Sequence, residues 1–353
     1  MPPPLPTARP DPSSVGYALL AAALFGAGTP LAKYLLGTID PWMLAGLLYL
    51  GSGLGLSVVR WLKGSTAARM TRADLGWLSG AILSGGIIAP VLLMYGLTHL
   101  PSSSAALLLN AEGVLTVLIA WLAFREHFDA RIAIGMALIA AGAVMLSWPA
   151  SAAFGTLLPS LTILTACLAW AIDNNLTRRI ALSDATTIAS VKGLVAGAVN
   201  LSLALLLGSA LPPVLPGLLA MGTGLLTYGV SLVLFVLALR GLGAGRTAAY
   251  FSIAPFTGAL IGVFSGDALT WQLLCAGTLM AVGIWLHLTE VHAHDHSHEP
   301  LEHEHDHVHD EHHLHEHEAT TATATPHTHK HRHGGIRHDH AHFPDLHHDH
   351  SHK

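Results

Sequence analysis

The sequence predicts an all-α membrane protein: ten transmembrane helices arranged as two inverted five-helix repeats, followed by a disordered tail. Three observations lead to this fold class. Hydrophobic residues make up 52% of the 353 residues and charged residues only 11%, whereas soluble domains carry about 25% charge. Long apolar stretches recur along the chain with turn residues between them. From Val291 onward the composition changes, and this last part holds 23 of the 26 histidines.

Ten stretches are long and apolar enough to be spans, since a helix needs about 20 apolar residues to cross ~30 Å of hydrocarbon. Turn residues separate them, as at Asp40-Pro41, Leu100-Pro101 and Leu211-Pro212. Helices are favoured because lipid cannot bond to free backbone groups and no strand-like alternation is present. The predicted spans are residues 15–36, 41–61, 75–98, 102–124, 129–148, 154–177, 185–208, 215–239, 245–265 and 268–289.

Lysine and arginine collect in alternate connections between these spans. Cytoplasmic connections are the ones that gather positive charge, so the pattern predicts a multi-pass protein of the inner membrane with both termini in the cytoplasm. The weakly basic body and acidic tail give no reason to expect a nucleic-acid partner. The basic residues of the alternate connections are Arg60, Lys63, Arg69, Arg72, Arg125, Arg131, Arg178, Arg179, Arg240 and Arg246.

The two halves of the apolar part share landmarks in the same order. Phe25-Gly26 aligns with Trp170-Ala171, Lys33 with Arg178, Glu126 with Asp267, and Gly142 with Gly283. Five spans per half is an odd number, so the second half enters the membrane upside down, as in many secondary transporters. The predicted division is a cytoplasmic segment 1–14, a first repeat 15–148, a second repeat 149–290 and the tail 291–353.

These motifs resemble the drug/metabolite transporter superfamily, and specifically EamA-type proteins. The resemblance rests on the aromatic-small pair followed by a basic residue in spans one and six. It also rests on Glu126 and Asp267, each of which precedes a glycine-rich span. It covers about residues 15–290 and implies a ten-helix inverted-repeat transporter, without naming the substrate. Phe25, where tryptophan is common, and Asp267 in place of glutamate are departures.

Polar residues inside spans are candidates for a binding site, because unpaired charge in the membrane is costly. Glu112 lies near the middle of span four and is the candidate proton or cation carrier. Lys192, in span seven, is its counter-ion or an anchor for an anionic substrate, unless it only extends to the cytoplasmic surface. The remaining candidates are Asn110 and the run Asp173, Asn174 and Asn175. A structural explanation stays open for them, with Asp173 paired to Arg178 or Arg179 and the asparagines joining helices.

The tail repeats His-x-His with acidic residues between many of the histidines. In an extended chain, residues i and i+2 lie on one face, and imidazole suits Zn, Cu, Co and Ni. The tail is therefore predicted to bind a divalent transition metal as a buffer, sensor or loading arm, and to be disordered without it. The alternative is a solvated polar extension. The candidate metal ligands are His292, His294, His296, His298, His303, His305, His307 and His309.

The predicted function is secondary transport by alternating access, with export and proton coupling expected. The expected partners are the lipid bilayer and a small-molecule or metal substrate, and a homodimer is allowed. No required cofactor, no enzymatic constellation and no Walker-type nucleotide motif are evident. Metal as cargo is the less favoured choice, because among the histidines only His287 falls within a span, at its cytoplasmic end. The alternative function is a membrane-anchored metal sensor or buffer with a transport-inactive body.

Overall fold

The computed structural model describes most of the apolar part of the chain and four short segments of the tail. The described residues are 12–63, 72–124, 130–148, 157–178, 180, 185–242, 247, 250–288, 292–297, 302–307, 327–332 and 337–342. Contacts divide the chain at the predicted boundary, into one unit of residues 1–290 and another of residues 291–353.

The first half of the body contains seven described α-helices and one π-helical segment, each overlapping one of the first five predicted spans. The helices are α1 (Pro12–Leu35), α2 (Pro41–Lys63), α3 (Arg72–Ala81), α4 (Ala89–His99), α5 (Ser102–Leu108), α6 (Ala111–Phe124) and α7 (Ala130–Ser147). The first π segment, Ile82–Ile88, joins α3 to α4. Span four is not one continuous helix, because a turn at Leu109 and Asn110 separates α5 from α6.

The second half follows the same plan in its described residues. The helices are α8 (Leu158–Arg178), α9 (Ala185–Leu206), α10 (Val214–Gly224), α11 (Ser231–Leu242), α12 (Ala254–Phe264) and α13 (Trp271–Leu288). The second π segment, Leu225–Val230, joins α10 to α11. A turn at Ser252 and Ile253 precedes α12, so the predicted span nine is also interrupted.

This is the architecture of a multi-pass, all-α membrane body. By length and apolar composition alone, six described segments could cross a membrane: Pro12–Leu35, Pro41–Leu62, Asp74–His99, Ser102–Ile119, Thr186–Leu206 and Val214–Ala238. Shorter apolar helices cover Ala133–Ser147, Ala254–Phe264 and Trp271–Leu286. Helix α8 is long enough, but the run Asp173-Asn174-Asn175 lowers its mean hydropathy.

Helix packing in the body repeats when the two halves are exchanged. Helix α1 packs against α11, α12 and the second π segment, and α8 packs against α4, α6 and the first π segment. Two further large interfaces, α2 with α9 and α7 with α13, each join corresponding helices of the two halves. The core between them is built mainly from alanine, leucine and methionine side chains, including the fully buried Met43, Met94 and Met280.

Glycines make the interface between α2 and α9 close. A side chain on Gly193 would lie 2.7 Å from the backbone of Gly53, and one on Gly197 would lie 2.5 Å from the backbone of Leu50. At α7 and α13 the landmark glycines act in the same way, with Gly142 against Met280 and Gly283 against the Gly135 carbonyl. Small residues let helix backbones approach each other without a strong hydrophobic driving force.

The tail departs from the prediction of disorder in its described segments, which are β-strands. They are β1 (His292–Ser297), β2 (Glu302–His307), β3 (His327–Arg332) and β4 (Arg337–His342). Strand β1 pairs with β4 and β2 pairs with β3, both antiparallel. The His-x-His alternation has the period of a strand.

Candidate functional site

Glu112 lies in the first turn of α6, directly after the turn that interrupts span four. Its carboxylate accepts a hydrogen bond of 2.8 Å from the side-chain amide of Asn174 on α8. The same amide lies 3.4 Å from the hydroxyl of Thr116, one turn further along α6. Glu112 is half-buried and Asn174 is exposed, so this pair lies where a small molecule can reach it. It also joins the first half of the chain to the second.

Asp173 and Lys192 form an ion pair between α8 and α9. The Asp173 side chain is 4% exposed and that of Lys192 is 19% exposed, and the hydroxyl of Thr177 donates a 3.0 Å hydrogen bond to the other Asp173 oxygen. Among the described residues, Lys192 is therefore the counter-ion of Asp173, whereas the sequence suggested Glu112 as its partner. Helix α9 begins at Ala185, which brings Lys192 two turns in and level with Asp173.

The first π segment borders this ion pair through Gly85. A side chain at Gly85 would overlap the Asp173 carboxylate, so glycine is required there. The Gly85 carbonyl accepts hydrogen bonds from the Tyr49 hydroxyl at 2.7 Å and the Trp170 indole at 2.9 Å. The neighbouring Gly86 carbonyl accepts a 3.0 Å bond from the Asn200 amide.

These carbonyls are free to accept side-chain donors because of Pro90. In the π segment the Ala89 N–H bonds to the Ser84 carbonyl, five residues earlier. The next residue, Pro90, has no N–H, so the carbonyls that precede it by four and five residues, Gly86 and Gly85, lose a backbone partner. A buried carbonyl needs a donor, and Tyr49, Trp170 and Asn200 supply it. Such π-helical breaks occur often at functional sites.

A row of aromatic rings continues from Tyr49 to Tyr228, Phe25, Phe251 and Phe235. Tyr49 and Tyr228 have ring centroids 5.6 Å apart, and Tyr228 meets Phe25 edge to face at 5.9 Å. Phe251 lies 5.4 Å from Phe25 and 4.9 Å from Phe235. The rings come from α1, α2, α11, the second π segment and the residues before α12. Tyr49 therefore contacts both the first π segment, through the Gly85 carbonyl, and this row of aromatic rings.

The structure separates the predicted site residues into two groups. Glu112, Asp173, Asn174 and Lys192 lie together around α6, α8 and α9, and Asn175 joins them by donating to the Thr116 carbonyl at 3.2 Å. Asn110 does not belong to this group. Its amide donates to the Leu107 carbonyl at 3.0 Å and lies 3.7 Å from the Met280 sulfur, so it stabilises the turn between α5 and α6.

Two landmark residues have structural partners. Lys33 donates to the carbonyls of Leu97 and Thr98 at the end of α4, in the way that basic side chains often bond the last carbonyls of a helix. Asp267 accepts 2.8 Å hydrogen bonds from the Ser102 hydroxyl and the Ser103 N–H. Asp267, in the second half of the chain, therefore supplies the hydrogen-bond acceptor for the first residues of α5 in the first half. The side chain of Arg178 and all of Glu126 lie outside the described residues.

The predicted metal ligands lie in the tail strands where the structure describes them. His292, His294 and His296 are in β1, and His303, His305 and His307 are in β2. His298 and His309 lie outside the described residues. Among the described side chains, all within residues 12–286, no group of three His, Cys, Asp or Glu is arranged to hold a metal ion.

Tyr49, Trp170 and Tyr228 are the site residues that sequence reasoning missed. Trp170 served only as a repeat landmark, and the two tyrosines were unremarkable members of apolar spans. The available signal was Pro90, which predicts free carbonyls in span three. It could not show which of many aromatic side chains would supply the donors, because that depends on the packing of α2 and α8 against the first π segment.

The first half of the chain matches a known family. Residues 12–148 match the model of the EamA-like transporter family. A relative from Methanothermobacter thermautotrophicus, described as an uncharacterized transporter, is 28% identical over 291 residues, which are 76% of this chain and 84% of that protein. A crystal structure of another protein shares the fold with a TM-score of 0.59 at 19% identity, over 78% of this chain and 95% of that one. Residues 12–148 are therefore similar to the EamA-like transporter family, in agreement with the resemblance that the sequence motifs indicated.

Proposed function

We propose that the protein is a secondary transporter that moves a small metabolite by alternating access of its two halves, coupled to a proton carried by Glu112. The observation that carries this proposal is the hydrogen bond from Asn174 to Glu112. It joins the two halves of the body at an interrupted span, which is where transporters of inverted-repeat design bind substrate and coupling ion.

The charges around Glu112 suit a protonation cycle. With Glu112 ionised, the group of Glu112, Asp173 and Lys192 carries one net negative charge, and with Glu112 protonated it is neutral. Because Lys192 is held by Asp173, it does not permanently neutralise Glu112. A carboxyl group of this kind inside a membrane protein is typical of proton relays.

An inverted repeat is supported by features that recur at equal spacing. Each half has a π segment in its third span and a turn in its fourth, and several helix contacts recur when the halves are exchanged.

The two halves differ at the first residues after the turn in the fourth span of each half. Helix α6 begins Ala111-Glu112 after its turn, whereas α12 begins Ala254-Pro255. The carboxylate is therefore a feature of the first half, and the coupling site is not duplicated there.

An organic cargo is favoured by the aromatic rings that border the polar group. Tyr49 and Tyr228 offer flat apolar faces, and Asn174 offers an exposed amide. This combination of apolar wall and a few polar groups is typical of small-molecule sites. The second candidate function, transport of a divalent metal, is supported only by the histidines of the tail. In both cases the tail would bind a divalent transition metal in the cytoplasm.

The test compares cells that produce the wild-type protein with cells that produce Glu112→Gln, which keeps the shape and the bond to Asn174 but cannot release a proton. We expect Glu112→Gln to return the cellular metabolite profile to that of cells lacking the protein. Ser202→Ala is the matched control, because that hydroxyl bonds only to the Ala198 carbonyl of its own helix. Membrane abundance is measured for all variants.

Two further measurements separate the alternatives. A protonophore should abolish the wild-type metabolite difference, and unchanged transport by Glu112→Gln would overturn the role of Glu112. Deletion of residues 291–353 separates cargo from regulation. If cell metal content changes while the metabolite difference persists, the tail handles metal and the body carries the metabolite. A metabolite profile that never depends on the protein would favour the membrane-anchored sensor.

A further inference from the structure

The backbone pairing of the tail puts its histidines in register across two strands. In the pairing of β1 with β4, the opposed residues are His292 with His342, His294 with His340, and His296 with His338. In the pairing of β2 with β3 they are His303 with His331, His305 with His329, and His307 with His327. Every histidine of these strands is opposite another histidine.

Alternate residues of a strand share one face of its sheet. The six histidines of β1 and β4 are therefore on one face of that two-stranded sheet, and the six of β2 and β3 are on one face of the other. The positions between them form the second face. For β2 and β3 that face carries the opposed pairs Glu302 with Arg332 and Glu304 with Lys330, and opposite charges across a strand pair are stabilising.

Opposed residues of an antiparallel pair have Cβ atoms about 4.5–5.5 Å apart, and residues i and i+2 are separated by about 6.6 Å along the strand. Two adjacent histidine pairs, such as His294 with His340 and His296 with His338, therefore provide four imidazoles within a short distance. Four nitrogen ligands satisfy a tetrahedral Zn²⁺ ion, and imidazole also suits Cu²⁺, Ni²⁺ and Co²⁺.

The pairing of these strands needs a stabilising contribution such as metal binding. Isolated two-stranded sheets are marginal in water, and these strands contain no large apolar side chain to bury. A divalent ion on the histidine face would supply that contribution.

We propose that divalent transition-metal ions bridge histidines across β1 and β4 and across β2 and β3, so that metal closes the tail into two paired ladders. This inference rests on the proposed metal binding by the tail, but it assigns the metal a different set of ligands. A local His-x-His site uses neighbours in sequence, whereas the bridged site joins the start of the tail to residues near its end. His327, His329, His331, His338, His340 and His342 become ligands. The tail then changes shape when metal binds, which is the property of a sensor.

The test uses the full-length protein in detergent with Zn²⁺ as the probe. The changes Ala293→Cys and Ala341→Cys place two thiols at an opposed pair on the face without histidine, and diamide oxidises them in the presence of Zn²⁺ or of a chelator. We expect several-fold more disulfide between positions 293 and 341 with Zn²⁺, measured by mass spectrometry of the linked peptides. The matched control combines Ala293→Cys with Arg337→Cys, positions that the register keeps four residues apart.

A histidine variant then identifies the ligands. In the Ala293→Cys, Ala341→Cys protein, the triple change His338→Gln, His340→Gln, His342→Gln should remove the Zn²⁺-dependent increase. The matched triple change His347→Gln, His348→Gln, His350→Gln should retain it. Zn²⁺ binding without any increase in the disulfide would overturn the bridged ladders and leave local His-x-His binding. Absence of Zn²⁺ binding in calorimetry would overturn both this inference and the proposed metal role, while leaving the transport proposal to its own test.

Discussion

At the scale of single residues, the membrane body keeps its few charges in specific partnerships. Asp173 and Lys192 neutralise each other between α8 and α9, Lys33 bonds the end of α4, and Asp267 bonds the start of α5. Glu112 differs from the Asp173–Lys192 pair, because its described partner is the neutral amide of Asn174. Its charge can therefore change during a cycle without breaking an ion pair with that partner, since the described partner carries no charge.

Replacement of Lys192 by methionine should destabilise the body strongly. Removing one partner of a buried ion pair costs about 3–5 kcal/mol, because the other charge stays buried without compensation. The double change Asp173→Asn, Lys192→Met should recover most of this loss, since both charges are then absent. Thermal unfolding of the detergent-solubilised variants measures the effect. A single variant as stable as the wild type would show that the pair contributes nothing to folding.

At the scale of helices, glycines have two roles in how the elements meet. Gly85 and Gly86 let the first π segment approach α8 and α9, and Gly53 and Gly193 let α2 meet α9. The second role is to end a helix, which a glycine with positive φ can do. Gly266, at φ 111°, ends α12 with a bond from the Asp267 N–H to the Gly262 carbonyl. That turn directs Asp267 toward Ser102 in the other half.

Substitution of alanine for Gly193 should weaken the α2–α9 interface. The added methyl group would lie 2.7 Å from backbone atoms of Gly53, and overpacking of this kind costs about 1–3 kcal/mol. Gly222→Ala on α10 is the matched control, because no atom lies within 4 Å of its added methyl group. It should be neutral or stabilising by up to about 1 kcal/mol, since alanine is the better helix former. Thermal unfolding tests both, and equal effects would contradict the close packing.

At the scale of the whole molecule, the body is a membrane unit in which several helix contacts of one half have a counterpart in the other, and the tail is a separate unit. Equivalent contacts suit a mechanism in which one half moves against the other around a shared polar group. The tail has a different chemistry, with histidines in extended segments. Its position in the cell therefore decides whether it meets cytoplasmic metal, and the basic connections of the body predict that it does.

A reporter fused after Lys353 tests this orientation. Green fluorescent protein at that point should fluoresce, and alkaline phosphatase at the same point should stay inactive, because the enzyme needs an oxidising compartment for its disulfides. Alkaline phosphatase fused after Ser209, in a connection without lysine or arginine, is the control and should be active. Phosphatase activity at Lys353 would reverse the predicted orientation and place the histidines outside the cytoplasm.

Much of the fold follows from the sequence, and the site follows only in part. Apolar stretches about 20 residues long predict the spans because lipid imposes both length and helical conformation, and their ends agree with the described helices within a few residues. Glu112, Asp173, Asn174 and Lys192 were found because charge inside a span is rare. The pairing of Lys192 with Asp173 was not predicted, because sequence gives the position of a side chain along its helix but not the rotation of one helix against another.

The sequence by itself determined the membrane body, the division at Val291 and the polar residues that matter, since each depends on composition and local period. Only the tertiary structure decided that Lys192 belongs to Asp173, that Glu112 meets Asn174, and that Tyr49 and Trp170 bond the carbonyls freed by Pro90. It also decided which histidines of the tail oppose one another. These are contacts between segments far apart in the chain, and their geometry is fixed by packing and register, which no local pattern contains.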